Sequence, residues 1–280
     1  MLSGRARRGF QGVGVASGEI SGTDEGTSGS WVRRFRPVGD PAVRLVCFPH
    51  AGGSASAFLP LVKALPPWVE VLAMQYPGRQ DRRREQFVRS LDEFTERSLG
   101  ELSGWGDRPL AFFGHSLGAT IAFEVARRAF EENLETVGLF ASGRRAPALP
   151  PEAPFGVHDT ETAVRELARL GGTDSGLFDE PEILAMVLPA LRADYHAAET
   201  YRYVPAPAGR DVDCPLVALT GDRDPVTTVA DARAWSAHTS GTFRLEVFEG
   251  GHFFLTERAA AVADTVAECL RAWAPQPMRG

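Results

Sequence analysis

The chain has 280 residues, 44% of them apolar and 24% charged, with a formal net charge of −6. That length buries a sizeable core in one large domain or two small ones, and the mild acidity excludes a bulk electrostatic affinity for nucleic acid or an anionic membrane surface. Cys47, Cys214 and Cys269 stand far apart in apolar stretches without C-x-x-C spacing, the pattern of reduced, buried thiols in a cytoplasmic compartment. The arginines near the N-terminus are followed by no apolar run of signal-peptide length, and no segment approaches a membrane span, so export is not expected.

In chain order, residues 1–30 include "SGEISGTDEGTSGS" and are too poor in apolar side chains to offset the entropy of ordering them, which predicts a disordered tail ahead of a folded domain over 31–280. From Trp31 onward, apolar runs of strand length alternate with longer helical patterns. The strand candidates are "VRLVCF" (43–48), "VEVLAMQ" (69–75), "LAFFG" (110–114), "VGLFAS" (137–142), "PLVALTG" (215–221) and "FRLEVF" (243–248). Their near-continuous hydrophobicity predicts strands covered on both faces, hence an α/β fold with a mostly parallel central sheet flanked by helices. Helices are predicted after Gly53 and over 90–102, 117–132, 228–238 and 256–273.

The interval 144–207 is too long for an ordinary connection and reads as an insertion with two helices of its own. Asp159 and Thr160 can cap the first, whose Val164, Leu167, Ala168 and Leu170 form one apolar stripe, with Gly171 placed to end it. The second begins at Pro181 and continues through Leu184, Leu188, Leu191 and Tyr195, with Pro189 expected to kink or divide it.

Gly114-His115-Ser116-Leu117-Gly118 fits G-x-S-x-G with a strand before it and a helix after it. In such an elbow the glycines remove the Cβ atoms that would block a tight turn, the serine hydroxyl stands above the carboxyl edge of the sheet, and the Leu117 N–H points where an oxyanion would form. The competing reading is a glycine-lined turn without catalysis. A serine nucleophile needs a base and an acid, in the chain order serine, acid, histidine. "TGDRDP" (220–225) places Asp222 and Asp224 after a strand, and Asp224, farther past the strand end, is the favoured acid, with Asp222 assigned to capping the loop. "EGGHFFL" (249–255) places His252 between the last strand and the last helix. "FPHAGGSAS" (48–56) offers the Ala51 N–H as second oxyanion donor, with His50 shaping that loop. There is no H-E-x-x-H, no clustered Cys/His spacing, no G-x-x-x-x-G-K, and no G-x-G-x-x-G after a strand, so neither a metal nor a cofactor is expected.

With "PHAGGSA", "QYPGRQDR", "FFGHSLGA", "LPALRADYHAAETY", "GDRDP" and "GGHFFL" in this order, the chain from about residue 31 to its end resembles the type II thioesterases. These are freestanding α/β-hydrolases that remove stalled or aberrant acyl groups from carrier-protein phosphopantetheine arms in polyketide and nonribosomal peptide synthesis. The resemblance implies Ser116, Asp224 and His252 as catalytic triad, Ala51 and Leu117 as oxyanion hole, 144–207 as a helical lid, and an acyl or peptidyl carrier protein as partner. Thioesterases fused to synthases usually carry their acid after the preceding strand, which here ends "FASGRRAP" with no acid nearby. "DYHAAE" departs from the usual "DYKAAE" and bears on lid contacts rather than catalysis. The alternatives are a short-chain carboxylesterase using the same triad and a noncatalytic protein that binds a carrier through the lid. "GRQDRRRE" (78–85) groups Arg79, Arg82, Arg83 and Arg84, read first as a solvated loop and second as a docking patch for an acidic carrier protein.

Overall fold

The computed structural model describes residues 30–150, 160–171, 181–206 and 211–274. The predicted tail and the cap at Asp159 lie outside the described residues. Strands are β1 (Val32–Arg33), β2 (Val43–Phe48), β3 (Val69–Met74), β4 (Leu110–His115), β5 (Thr136–Ser142), β6 (Leu216–Gly221) and β7 (Phe243–Phe248). They form one sheet in the order β1-β3-β2-β4-β5-β6-β7, parallel throughout except for β1, which pairs antiparallel with β3.

The period of two along each strand sorts its side chains onto two covered faces. Val46, Phe48, Leu72, Met74, Phe112, Leu139 and Ala218 lie in one core with α2 (Leu91–Leu102) and α3 (Leu117–Arg128). Leu45, Cys47, Val71, Phe113, Phe140 and Val217 lie in the other, against α1 (Leu59–Ala64) and the C-terminal helix Ala259–Trp273. All three cysteines are buried and free. Glu70, a charge inside β3, is fully buried, and its carboxylate is held by Arg34, by Arg44 and by the Val38 amide. The outer strand β7 is only partly covered, and its Arg244 pairs with Glu246 and Glu268, charges that blunt an open edge.

Six strands fall where the sequence predicts them, within a residue or so. The exception is β1, a two-residue strand ahead of the first predicted one; it is anchored by Trp31, whose ring meets Tyr76 at 5.5 Å and Phe94 at 6.4 Å. The helical insertion contributes α4 (Thr160–Leu170), closed by Gly171 at φ 71°, and α5 (Pro181–Thr200). Of the two outcomes expected at Pro189, a kink or a division, the division does not occur: α5 runs through it. Its missing N–H leaves the carbonyl of Ala185, an exposed residue, without its helical donor, while Leu188, Ala190 and Leu191 are buried and hold the helix on the body on either side of the proline.

Candidate active site

Ser116 sits between β4 and α3 at φ 54° and ψ −121°, a conformation that costs a non-glycine residue ~1–3 kcal/mol. The turn closes because its flanking positions lack side chains. A Cβ on Gly114 would stand 2.1 Å from the Gly118 carbonyl oxygen, and one on Gly118 would stand 2.0 Å from the Phe48 carbonyl oxygen. The Ser116 amide donates to the Ser142 carbonyl at 2.8 Å, so the elbow is also tied to the end of β5.

Two further loops leave the same edge of the sheet. After β6, the Asp224 carboxylate accepts the Val226 amide at 2.9 Å and the Thr227 amide at 3.1 Å through Oδ1, and the His252 imidazole through Oδ2, with Nδ1 at 2.8 Å. Both side chains are buried, at 0% and 1% exposure, so this hydrogen bond is made away from solvent. With Nδ1 engaged by the carboxylate, the other imidazole nitrogen is left to act as a base. Asp222 turns elsewhere: its Oδ1 accepts the Gly250 amide at 2.8 Å and its Oδ2 meets Arg223 at 3.2 Å, which ties the β6 and β7 loops together.

Ser116, His252, Ala51 and Leu117 line one cavity of about 20 Å³, closed on the insertion side by Leu170 of α4 and by Tyr195 and Ala198 of α5. That is room for about one water molecule. Among the described residues no hydrogen bond joins Ser116 Oγ to His252; catalytic contacts of this kind commonly tighten only when substrate is bound.

His50 and His115 surround the candidate base. Their rings lie 6.1 Å apart, His115 lies 5.1 Å from His252, and Phe253 packs at 4.9 Å from His50 and 5.6 Å from His115. Burial, with the positive charge of a protonated His252 as the second cause, pushes His50 down to about 4 and His115 well below the usual imidazole range. Both are therefore neutral at pH 7. His115 Nδ1 is 2.9 Å from Ser142 Oγ. Among the described residues no group of three His, Cys, Asp or Glu side chains is disposed to hold a metal ion.

The basic segment 78–85 is not the solvated cluster its sequence suggests. Arg79 is 4% exposed and forms an ion pair with Asp194 of α5, while Arg82 is 6% exposed, pairs with Glu85 and donates to the Gln75 carbonyl. Only Arg83 and Arg84 face solvent. The interior offers these guanidiniums carboxylate and carbonyl acceptors, so burial leaves them paired. Sequence reasoning assigned no role to Asp194. The available signal was its position, three residues after Leu191 and next to Tyr195, a charge on the apolar face of the helix.

Residues 43–273 match the family described as thioesterase domain. A probable cadicidin biosynthesis thioesterase of Streptomyces griseus is 46% identical over 248 residues, 89% of this chain and 68% of that one. Thioesterase PikA5 of Streptomyces venezuelae is 45% identical over 245 residues, 87% of this chain and 86% of that one. Among solved structures, the type II thioesterase BorB from the borrelidin biosynthetic cluster is 45% identical and superposes with a TM-score of 0.79, over 88% of this chain and 100% of that one.

Proposed function

Because the chain belongs to the thioesterase family, we propose that it hydrolyses acyl thioesters on the phosphopantetheine arms of acyl or peptidyl carrier proteins, clearing stalled or aberrant groups during polyketide or nonribosomal peptide synthesis. It is a thioesterase of α/β-hydrolase fold, and its relatives include type II thioesterases of such biosynthetic clusters. Localisation in the cytoplasm accords with three free, buried cysteines, and no helix among the described residues is long and apolar enough to cross a membrane.

In this reading Ser116 Oγ attacks the thioester carbonyl carbon while His252 Nε2 takes the hydroxyl proton. The negative charge that develops on the carbonyl oxygen is met by the amides of Ala51 and Leu117. The C–S bond breaks, His252 returns the proton to the departing pantetheine thiolate, and an acyl ester remains on Ser116. His252 then takes a proton from water, whose oxygen attacks the ester, and the carboxylic acid leaves with Ser116 reprotonated. Asp224 holds the imidazole by Nδ1 and stabilises its charged form throughout without accepting the proton. No step asks for a metal or a redox cofactor. Helices α4 and α5 serve as a lid that must shift for an acyl chain to enter, a role supported by the small cavity beneath them.

The observation that carries the reading is the buried 2.8 Å bond between His252 and Asp224 beside a serine held at positive φ on the same cavity. The test is hydrolysis of acyl groups loaded on a carrier protein. Ser116→Ala is expected to abolish turnover while the protein stays folded; turnover at the native rate would refute the proposal.

A further inference from the structure

Asp194 stands on the buried side of α5 and is 1% exposed. Its carboxylate is gripped from two other segments: the Arg79 guanidinium reaches both oxygens, and the Gly52 amide donates to Oδ2 at 2.7 Å. Arg79 is itself fixed, donating to the Pro77 carbonyl at 2.7 Å and lying 5.5 Å over the Tyr76 ring. Gly52 follows Ala51 directly, and its φ of 73° turns the loop at that point. Leu191, one helical turn from Asp194, closes over the same glycine, its Cδ1 3.1 Å from where a Cβ would lie. Beyond the turn, the Gly53 amide returns to the His50 carbonyl at 2.9 Å and the Ala55 amide donates to Gln75 Oε1 at 2.8 Å. The path of the loop that carries Ala51 is thus set on one side by the body and on the other by the insertion helix.

We infer that Asp194, oriented by Arg79, is a positioning residue for thioester cleavage: by holding the Gly52 amide it aims the adjacent Ala51 N–H at the oxyanion, so that the oxyanion site is complete only when α5 is seated. The inference rests on the reading of Ala51 as an oxyanion donor. Its physical basis is that an oxyanion site works by preorganisation, the donors being fixed before charge develops, and the Ala51 loop has no regular secondary structure of its own to fix it. A buried ion pair is a poor source of stability, because desolvation of both charges offsets their attraction, but it sets geometry sharply.

The test compares wild type with Asp194→Asn, Arg79→Lys and the double variant Arg79→Met with Asp194→Leu. Arg79→Lys keeps the charge and loses the planar pair of donors by which Nη2 holds the carboxylate while Nη1 is anchored on the Pro77 carbonyl. The double variant replaces the ion pair with apolar side chains of similar size, a change that buried pairs tolerate, and deletes the acceptor for Gly52. Each folded variant is assayed for kcat and KM on acyl-pantetheine. Each is also assayed for affinity toward two inhibitors: a pantetheine-linked trifluoromethyl ketone, whose Ser116 adduct places an oxyanion in the site, and the matching thioether, which does not.

The double variant is expected to lose about 10²-fold in kcat, the scale set by removing or misplacing an oxyanion donor, with KM little changed. Its affinity for the ketone should fall in step while its affinity for the thioether holds. Arg79→Lys and Asp194→Asn should show the same pattern, smaller. Folded variants with wild-type kcat and ketone affinity, or with equal losses for ketone and thioether, would overturn the inference and leave the pair a tie between lid and body. A wild-type enzyme that forms no adduct with the ketone would instead count against the proposed serine chemistry.

Discussion

Acidification should destabilise the fold through the imidazoles packed beside His252. His50 is half-buried against Phe253 and His115, and its pKa is pushed down to about 4 from the ordinary 6.5, first by burial and second by the charge of a protonated His252. A lowered histidine pKa means that the unfolded chain binds a proton more readily than the folded one. The corresponding stability is therefore fully present above pH 6.5, is lost as pH falls toward 4, and is gone below it. The interval between 6.5 and about 4, at ~1.4 kcal/mol per pH unit, is worth at most about 3.5 kcal/mol, and less to the extent that solvent reaches the half-buried ring. His115 acts in the same direction, since it is fully buried and its pKa is also lowered. Urea unfolding at a series of pH values from 7.5 to 4 (buffer conditions chosen in steps of about half a unit) reads the effect directly. In His50→Gln the slope of stability against pH should be shallower across that window, by up to ~1.4 kcal/mol per pH unit at its steepest. Parallel curves for the variant and wild type would show instead that His50 is protonated equally in the folded and unfolded states.

Asp224→Asn should lower kcat by about 10³- to 10⁴-fold, because the amide cannot hold and stabilise the imidazolium, whereas Asp222→Asn, which keeps an acceptor for the Gly250 amide, should be close to native; steady-state kinetics on an acyl-pantetheine thioester separates the two. Gly118→Ala puts a methyl group 2.0 Å from the Phe48 carbonyl oxygen, so the elbow must open, and thermal unfolding should show destabilisation of at least about 1–3 kcal/mol together with lost activity. Charge reversal at Arg83 and Arg84, the two exposed members of their cluster, should slow turnover of carrier-bound acyl groups at low salt and flatten its salt dependence, leaving small pantetheine substrates unaffected.

Much of this architecture was legible in the sequence because its strongest signals are steric and hydrophobic. Parallel strands covered on both faces, such as Val43–Phe48 and Leu216–Gly221, are continuous apolar runs, and an elbow that excludes Cβ atoms at two positions must show glycine at both. Asp224 and His252 were readable as strand-end residues in a known chain order, whereas the contact between them, 28 positions apart, is made only by the fold. The parts that were not legible depend on partners remote in sequence. Two residues of β1 carry no periodicity, and only their pairing with Met74 and Ala73 defines them as a strand. Arg79 and Arg82 look solvated beside Arg83 and Arg84 until the fold supplies Asp194, 115 positions away from Arg79, and the backbone carbonyl of Gln75. Pro189 breaks a helix by local rules, and buried residues on both sides of it hold the helix together.

The central claim is that Ser116 carries the acyl group between cleavage of the thioester and release of the acid. Rapid mixing of the enzyme with an acyl-loaded carrier protein, quenching in acid and mass analysis of the proteolysed enzyme tests it most directly. The peptide containing Ser116 should show a transient mass increase equal to the acyl group, absent from Ser116→Ala. Acylation at another residue, or full turnover with no acylated enzyme at any time point together with activity retained by Ser116→Ala, would contradict it.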